Sequence, residues 1–384
     1  MSQLQLPQLD ARCMGDDREV GVALGTELQG KIGHAVHSIT ELETFRLHRP
    51  WWMPFAVYQY VAQRKARCSL EPRFSHCYPH LAERIVGMAQ GSRTSVDFLY
   101  LFHAMESVSN DIDSPALAGC TAIAARGKQT IDQHALIGHN FDLVEMAAPM
   151  LSLRECSRQG KHRYLGFTLA PMAGVVDGIN DAGLAISYDY APATDVDLAS
   201  PPVSFAVEEA LSDCATVREA ISRLAKSPRG GGALLMLADA QGDIASMELS
   251  ANHHRVRRPK RRSDYVHHSN AYHTRGMRKR ELPRTAVYSD SAPNGLRNTP
   301  VFQSAERRDE RVSQLMKTAG PLCPDTLADL MSDHDHGESG TADTICMHGS
   351  YWSTLASIQL MPNERRMRLS YGRACQAQFV DFQL

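Results

Sequence analysis

The chain has 384 residues, 43% of them hydrophobic, and its 41 Lys and Arg against 43 Asp and Glu leave a formal charge of -2. That length and apolar content supply one large core or two moderate ones and exclude a disordered chain, while near-neutral charge excludes an overall field that gathers nucleic acid or anionic membrane. No run reaches the roughly 18 apolar residues of a membrane span, and the start lacks a basic segment followed by an apolar one.

The nine cysteines are scattered and odd in number, with no C-x-x-C pair to suggest zinc or dithiol chemistry. The expectation is a cytoplasmic protein with reduced thiols, no metal, no cofactor, and neither nucleic acid nor membrane as partner.

Residues 30–110 read as helices at 32–47, 53–67, 79–89 and 96–108, because their apolar residues recur at helical spacing. In the third, Leu81, Ile85, Val86 and Met88 form a stripe and Gly91 marks the stop; Ser95 caps the fourth. From Cys120 the period falls to two, with short strands at 120–125, 135–140, 165–170, 174–180 and 183–190. Helices at 204–211 and 216–226 follow, the second supported by a Glu219 and Arg223 pair, and then strands at 233–238, 244–249 and 265–268. Helices at 303–317 and 326–332 precede closing strands at 354–360 and 366–371, joined through Pro362-Asn363. Runs of strands alternating with helix pairs predict an α+β fold with helices over both outer faces of two stacked sheets. There is no internal repeat.

Cys120 follows a glycine in Gly119-Cys120-Thr121 and opens an apolar run. Glycine offers an unhindered carbonyl, so this thiol can attack its own preceding peptide bond, move the acyl group from nitrogen to sulfur and lose it to water. The product starts at Cys120, whose freed α-amino group, with a reference pKa of roughly 7.7–8.0, can take the thiol proton. From the tripeptide alone, a buried and inert cysteine is the alternative. A conventional thiol enzyme is another, with His103 or His139 as external base and no chain cleavage.

Seven elements stand in an order and spacing that resemble the isopenicillin N acyltransferase family, peptidase family C45. They are Tyr78-Pro-His-Leu-Ala-Glu-Arg-Ile-Val-Gly-Met-Ala-Gln-Gly91, Gly119-Cys120-Thr121, Asn140-Phe141-Asp142, Gly178-Ile-Asn-Asp-Ala-Gly-Leu-Ala-Ile186, Leu237-Ala-Asp-Ala-Gln-Gly242 with Glu248, Ser269-Asn270 and Gly372-Arg373. The resemblance implies an N-terminal-nucleophile hydrolase, a four-layer αββα sandwich of two stacked antiparallel sheets that cuts itself before the nucleophile. Residues 1–119 would be a helical leader retained as a small subunit, and 120–384 the catalytic domain. The enzyme would hydrolyse an amide or transfer an acyl group on a small-molecule substrate.

On the same resemblance, Cys120 is the nucleophile, Asp142 orients its amine, and Asn270 donates to the oxyanion together with a backbone N–H near Ser187 or Tyr188. On the residues alone, Asp142 reads as a turn aspartate, and Asn270 reads equally well as a turn residue. Two positions depart from the family. His139 stands where relatives often carry arginine or glutamine, which predicts titration near neutral pH, and Gly230-Gly231-Gly232 replaces a serine implicated in the penicillin enzyme's chemistry.

Two polar clusters compete for attention. The run Arg255-Val-Arg-Arg-Pro-Lys-Arg-Arg262 lacks interleaved aromatics and reads as a solvated loop, although a non-catalytic basic-patch binding protein would use it. Asp333-His334-Asp335-His336 carries metal-ligand types but no H-E-x-x-H spacing, and reads as a surface loop.

Overall fold

The structure, a computed structural model, describes residues 6–108, 118–260 and 263–384. The N-terminal part comprises strand β1 (Ala11–Met14) and helices α1 (Asp17–Glu27), α2 (Gln29–Ser38), α3 (Glu43–Leu47), α4 (Phe55–Cys77), α5 (Pro79–Ser92) and α6 (Val96–Val108). Strands β2 (Ala118–Ala125), β3 (Leu136–Leu143), β4 (Leu151–Ser157), β5 (Tyr164–Leu169), β6 (Asp177–Asn180) and β7 (Ala185–Tyr190) follow. Next come α7 (Val203–Asp213), α8 (Val217–Leu224), β8 (Ala233–Ala238), β9 (Ile244–Leu249), β10 (His254–Arg257) and β11 (Tyr265–Ser269). The chain closes with α9 (Gln303–Thr318), α10 (Pro324–Met331), β12 (Ser353–Met361), β13 (Arg366–Tyr371) and β14 (Val380–Gln383).

These strands make two sheets, ordered β1-β4-β5-β6-β7-β8-β9-β10 and β11-β2-β3-β12-β13-β14. All pairings are antiparallel except β1 with β4. The sheets stack with β2 against β7 and β8; α7 and α8 cover the outside of one, α9 and α10 the outside of the other. This is the expected α+β, αββα layering, and it explains why strands such as Ala233–Ala238 and Ser353–Met361 are buried along their whole length: both faces are covered.

Several expectations need correction. The N-terminal part is not helical throughout, since β1 joins the larger sheet beside β4. Strand β4 escaped notice because Arg154 and Glu155 interrupt its apolar run, although Arg154 is itself buried and donates to the carbonyls of Met172, Ala173 and Gly174. The basic run begins as edge strand β10 rather than as loop, with Arg257 donating to the His267 carbonyl and Arg258 paired with Asp243; Arg261 and Arg262 lie outside the described residues. Arg223 pairs with Glu209 and Asp213, leaving Glu219 to close the capping box of α8.

Gly91 does not stop its helix. That helix ends at Arg93 in the left-handed region, while Gly21 and Gly25 on α1 face Gly87 and Gly91 on α5 so closely that a β-carbon at Gly91 would collide with the Val22 carbonyl. Arg84, fully buried on α5, ties this helix pair to the rest of the fold. It donates to Asp17 at 2.7 Å, Glu208 of α7 at 2.9 Å and the Tyr164 hydroxyl at 3.3 Å. Burial alone would raise the Glu208 pKa, but Arg84 and Arg158 outweigh it and hold that carboxylate well below its usual range.

Candidate active site

Strand alternation decides what surrounds Cys120. In the β2–β3 ladder, Cys120 is opposite Phe141 and Gly119 is opposite Asp142. The Cys120 thiol therefore turns between the sheets, while Gly119 and Asp142 look outward to α9. A β-carbon at Gly119 would lie 3.6 Å from the Asp142 β-carbon, 3.7 Å from Asn270 Oδ1 and 3.3 Å from Met347 Cε, so the peptide before Cys120 is hemmed in by these three side chains.

Asn270, just after β11, accepts from the Cys120 backbone N–H at 2.8 Å, and its amide nitrogen donates to the Tyr190 carbonyl at 2.8 Å. In this geometry the amide holds the nucleophile's nitrogen, and serving as an oxyanion donor would require it to leave Tyr190. Glu248 fixes the loop that follows by accepting from the backbone of His273 and Thr274 and from the Thr274 hydroxyl.

A residue that the sequence reasoning missed completes this arrangement. Arg308, buried on α9, donates to the Cys120 carbonyl, to Thr121 Oγ1 at 2.8 Å and to Asn270 Oδ1 at 2.8 Å. The signal was available: Ala305, Arg308, Val312 and Met316 form the buried stripe of α9, and an arginine in an apolar stripe must answer to buried acceptors.

Asp142 accepts from Thr354 Oγ1 at 2.6 Å, but its Oδ2 has no hydrogen-bond partner among the described residues, with Arg308 3.8 Å away. Burial pushes its pKa up to about 6, against the opposing pull of Arg308 and Thr354. The uncleaved chain thus disfavours the carboxylate, and the cost of carrying Asp142 grows as pH rises from 3.8 to about 6 and is constant above that. In a Cys120→Ala background, Asp142→Asn is expected to be more stable than its parent by about 3 kcal/mol above pH 7. The gap should shrink as pH falls through about 6 toward the unfolded value of 3.8 and be gone below it. Urea melts at pH 4 and pH 8 measure it.

His139 lies between two carboxylates, with Nδ1 2.8 Å from Asp177 and Nε2 3.1 Å from Asp189, all three fully buried. Burial would lower its pKa, but Asp177 and Asp189 outweigh that and raise it well above the usual value. The expected titration near neutral pH is therefore replaced by a persistent imidazolium. Its ring also lies by the thiol: Cys120, His139 and Asp189 offer groups within 4.8 Å of one another. Burial, with help from Asp189, still lifts the Cys120 thiol to about 12, His139 opposing. Only Nδ1 makes a hydrogen bond, to Asp177, while Nε2 has no hydrogen-bond partner among the described residues; as an imidazolium the ring still has no lone pair for a thiol proton. His103 is no better placed, since Nδ1 faces the Leu99 carbonyl and Nε2 accepts from the Ala173 N–H.

The thiol opens onto a cavity of about 130 Å³. Its walls come from both parts of the chain, including Ile39 and Met105 from the N-terminal helices and Met150, Met172 and Tyr188 from the sandwich. Tyr188 is buried, and its phenol, raised well above its usual pKa by burial and by Glu106, bonds that N-terminal carboxyl. Ser187, the other expected neighbour of an oxyanion, lies inside the sheet in register with Asp177 and Met236.

A family model described as acyl-coenzyme A:6-aminopenicillanic acid acyl-transferase matches residues 129–375, beginning beyond Cys120. No curated protein matches the chain. Among solved structures, an N-acylethanolamine-hydrolyzing acid amidase ortholog from Caenorhabditis elegans is 14% identical with a TM-score of 0.44, covering 64% of this chain and 93% of that one. A conjugated bile acid hydrolase variant from Clostridium perfringens is 14% identical with a TM-score of 0.41, covering 69% and 97%. A penicillin V acylase from Agrobacterium tumefaciens is 14% identical with a TM-score of 0.39, covering 69% and 86%. Likenesses this remote assign nothing to individual residues.

Proposed function

Because this chain belongs to the acyl-coenzyme A:6-aminopenicillanic acid acyl-transferase family, and is thereby an enzyme of amide hydrolysis or acyl transfer, we propose that it cuts itself between Gly119 and Cys120 and then works through a Cys120 acyl-thioester. The observation that carries this reading is the position of Cys120. Its nitrogen is held by Asn270, its carbonyl by Arg308, and its sulfur faces an apolar cavity. In the cut enzyme the freed amine takes the thiol proton, the sulfur attacks the substrate carbonyl, and the amine returns the proton to the departing nitrogen. Asp142, left with an unpartnered oxygen beside Gly119, pairs with the ammonium. Tyr188 shapes the cavity, while His139 holds a positive charge near the sulfur.

The cavity selects the acyl group. Among the described residues that line it Glu106 is the one carboxyl, and burial raises that group's pKa, so a charged acyl tail would meet mostly apolar walls. The substrate class is a small amide or acyl donor with an apolar acyl group. Apolar acyl amides are expected to exceed carboxylate-tipped analogues of equal length by about 100-fold or more in kcat/KM. Quenched reactions should show the acyl mass on the 120–384 fragment, at Cys120. Equal rates for the two substrate types, or an adduct elsewhere, would refute the assignment.

A further inference from the structure

Away from the thiol, a second group of chemistry-bearing side chains has no place in the reaction. His334 comes from the loop after α10, Cys346 and His348 from the segment before β12, and Cys375 from the turn at Ala374–Gln376. One ligand atom from each lies within 4.8 Å of all the others. We propose that these four residues form a structural zinc site.

The donor set is the first argument. Two thiols and two imidazoles match the Cys2His2 sets that take zinc, and four protein ligands leave no open position for catalysis. Geometry is the second. The His348 Nε2 atom is 3.3 Å from Cys346 Sγ and 3.6 Å from Cys375 Sγ. Tetrahedral zinc with its usual bond lengths places sulfur and nitrogen ligands about 3.6 Å apart. The His334 ring lies edge-on to the His348 ring, with centroids 4.8 Å apart. The third argument is an unsatisfied group: His334 Nε2 is buried and has no hydrogen-bond partner among the described residues.

A Cys346–Cys375 disulfide is the competing use of these sulfurs. The Cys375 N–H donates to Cys346 Sγ at 3.4 Å, so the two are close. That bond would employ two of the four donors and leave the His334 nitrogen unsatisfied, whereas zinc satisfies all four. Two thiolates also balance the charge of the ion, and their protons pass to solvent on binding, so affinity falls with pH.

The site has a structural purpose. Met347, between two of the ligands, lies against Gly119, and its N–H donates to Thr354 Oγ1, which in turn donates to Asp142. Zinc would cross-link α10, this segment and the C-terminal turn behind the scissile peptide. The inference does not depend on whether the chain cuts itself.

The test uses full-length protein, purified under reducing conditions and stripped with a chelator, then titrated with zinc or cobalt alone. One equivalent should bind, cobalt should develop the visible bands and thiolate charge-transfer absorption of a tetrahedral site, and zinc should raise Tm. Cys375→Ser, an exposed position near the C-terminus with little consequence for folding, should weaken binding by on the order of 100-fold or more, as should His348→Ala. Cys323→Ser and His336→Ala, outside the cluster, should bind as the parent does. The proposal fails if folded protein takes up no metal, if cobalt spectra lack thiolate bands, or if Cys375→Ser binds like the parent. A Cys346–Cys375 disulfide persisting in reduced protein without metal uptake would also overturn it.

Discussion

Purified protein is expected to resolve into residues 1–119 and 120–384 under denaturing mass analysis, while Cys120→Ala stays whole and turns over no substrate. The Gly119 peptide lies where strand alternation points its neighbours at it: Asp142, Asn270 and Met347 on one side and the thiol on the other. Attack of Sγ on the Gly119 carbonyl forms a thioester and breaks the C–N bond, the proton passes to the departing nitrogen, and water then releases residue 119 as a carboxylate. The barrier lies in ionising the sulfur. With the thiol pushed up to about 12, ionisation at pH 7 costs about 7 kcal/mol, which makes scission slow and pH-accelerated. Cleavage then places an ammonium beside the sulfur and beside the unpartnered Asp142 oxygen, so the thiolate becomes easier to form once the chain is cut. Cys120→Ser, with a weaker nucleophile, should cut more slowly and leave residual precursor. Intact wild-type chains that hydrolyse amides at the full rate would sink the free-amine mechanism, and turnover by Cys120→Ala would remove the cysteine from the reaction altogether.

How much of this could be read in advance varies with the physics involved. Short apolar runs bounded by turn residues and helices of period 3.6 announce themselves, and β8, β9, β11 and β13 lie where those runs put them. Partnerships between distant segments do not. Strand β1 pairs with β4 because the N-terminal part lies along the sheet edge, and four residues give no usable period. Arg308 and Cys120 are 188 residues apart in the chain, and only the fold makes one donate to the other. The same holds for His334, Cys346, His348 and Cys375, whose sequence spacing matches no metal motif because three separate segments supply the ligands. Histidine at 139 was visible in the sequence, but its charge state was not, since that depends on Asp177 and Asp189 arriving from the opposite sheet.

Replacing that histidine tests the charge state directly. His139→Gln should destabilise the protein by about 3–5 kcal/mol in urea melts at pH 7, because two fully buried carboxylates would lose their shared cation. The pH window follows from the shifts. His139, raised well above 6.5, contributes stability that is fully present below that pH and is lost only as pH climbs through its higher folded value. Asp189 is held down to about 2 because His139 and His268 outweigh the burial that would raise it. Its contribution is present above 3.8 and is lost as pH falls through about 2. The loss on substitution should therefore be near maximal from about pH 4 to beyond neutrality and shrink in strong acid, where Asp189 protonates. Asp189→Asn added to His139→Gln should recover part of the stability, since one unpaired charge then remains in place of two. Kinetics give the discriminating reading. A charged His139 adds no limb near pH 6.5 to the kcat profile of the wild type, whereas a histidine serving as the thiol's base would add one, and His139→Gln would then abolish turnover while leaving the urea midpoint almost unchanged.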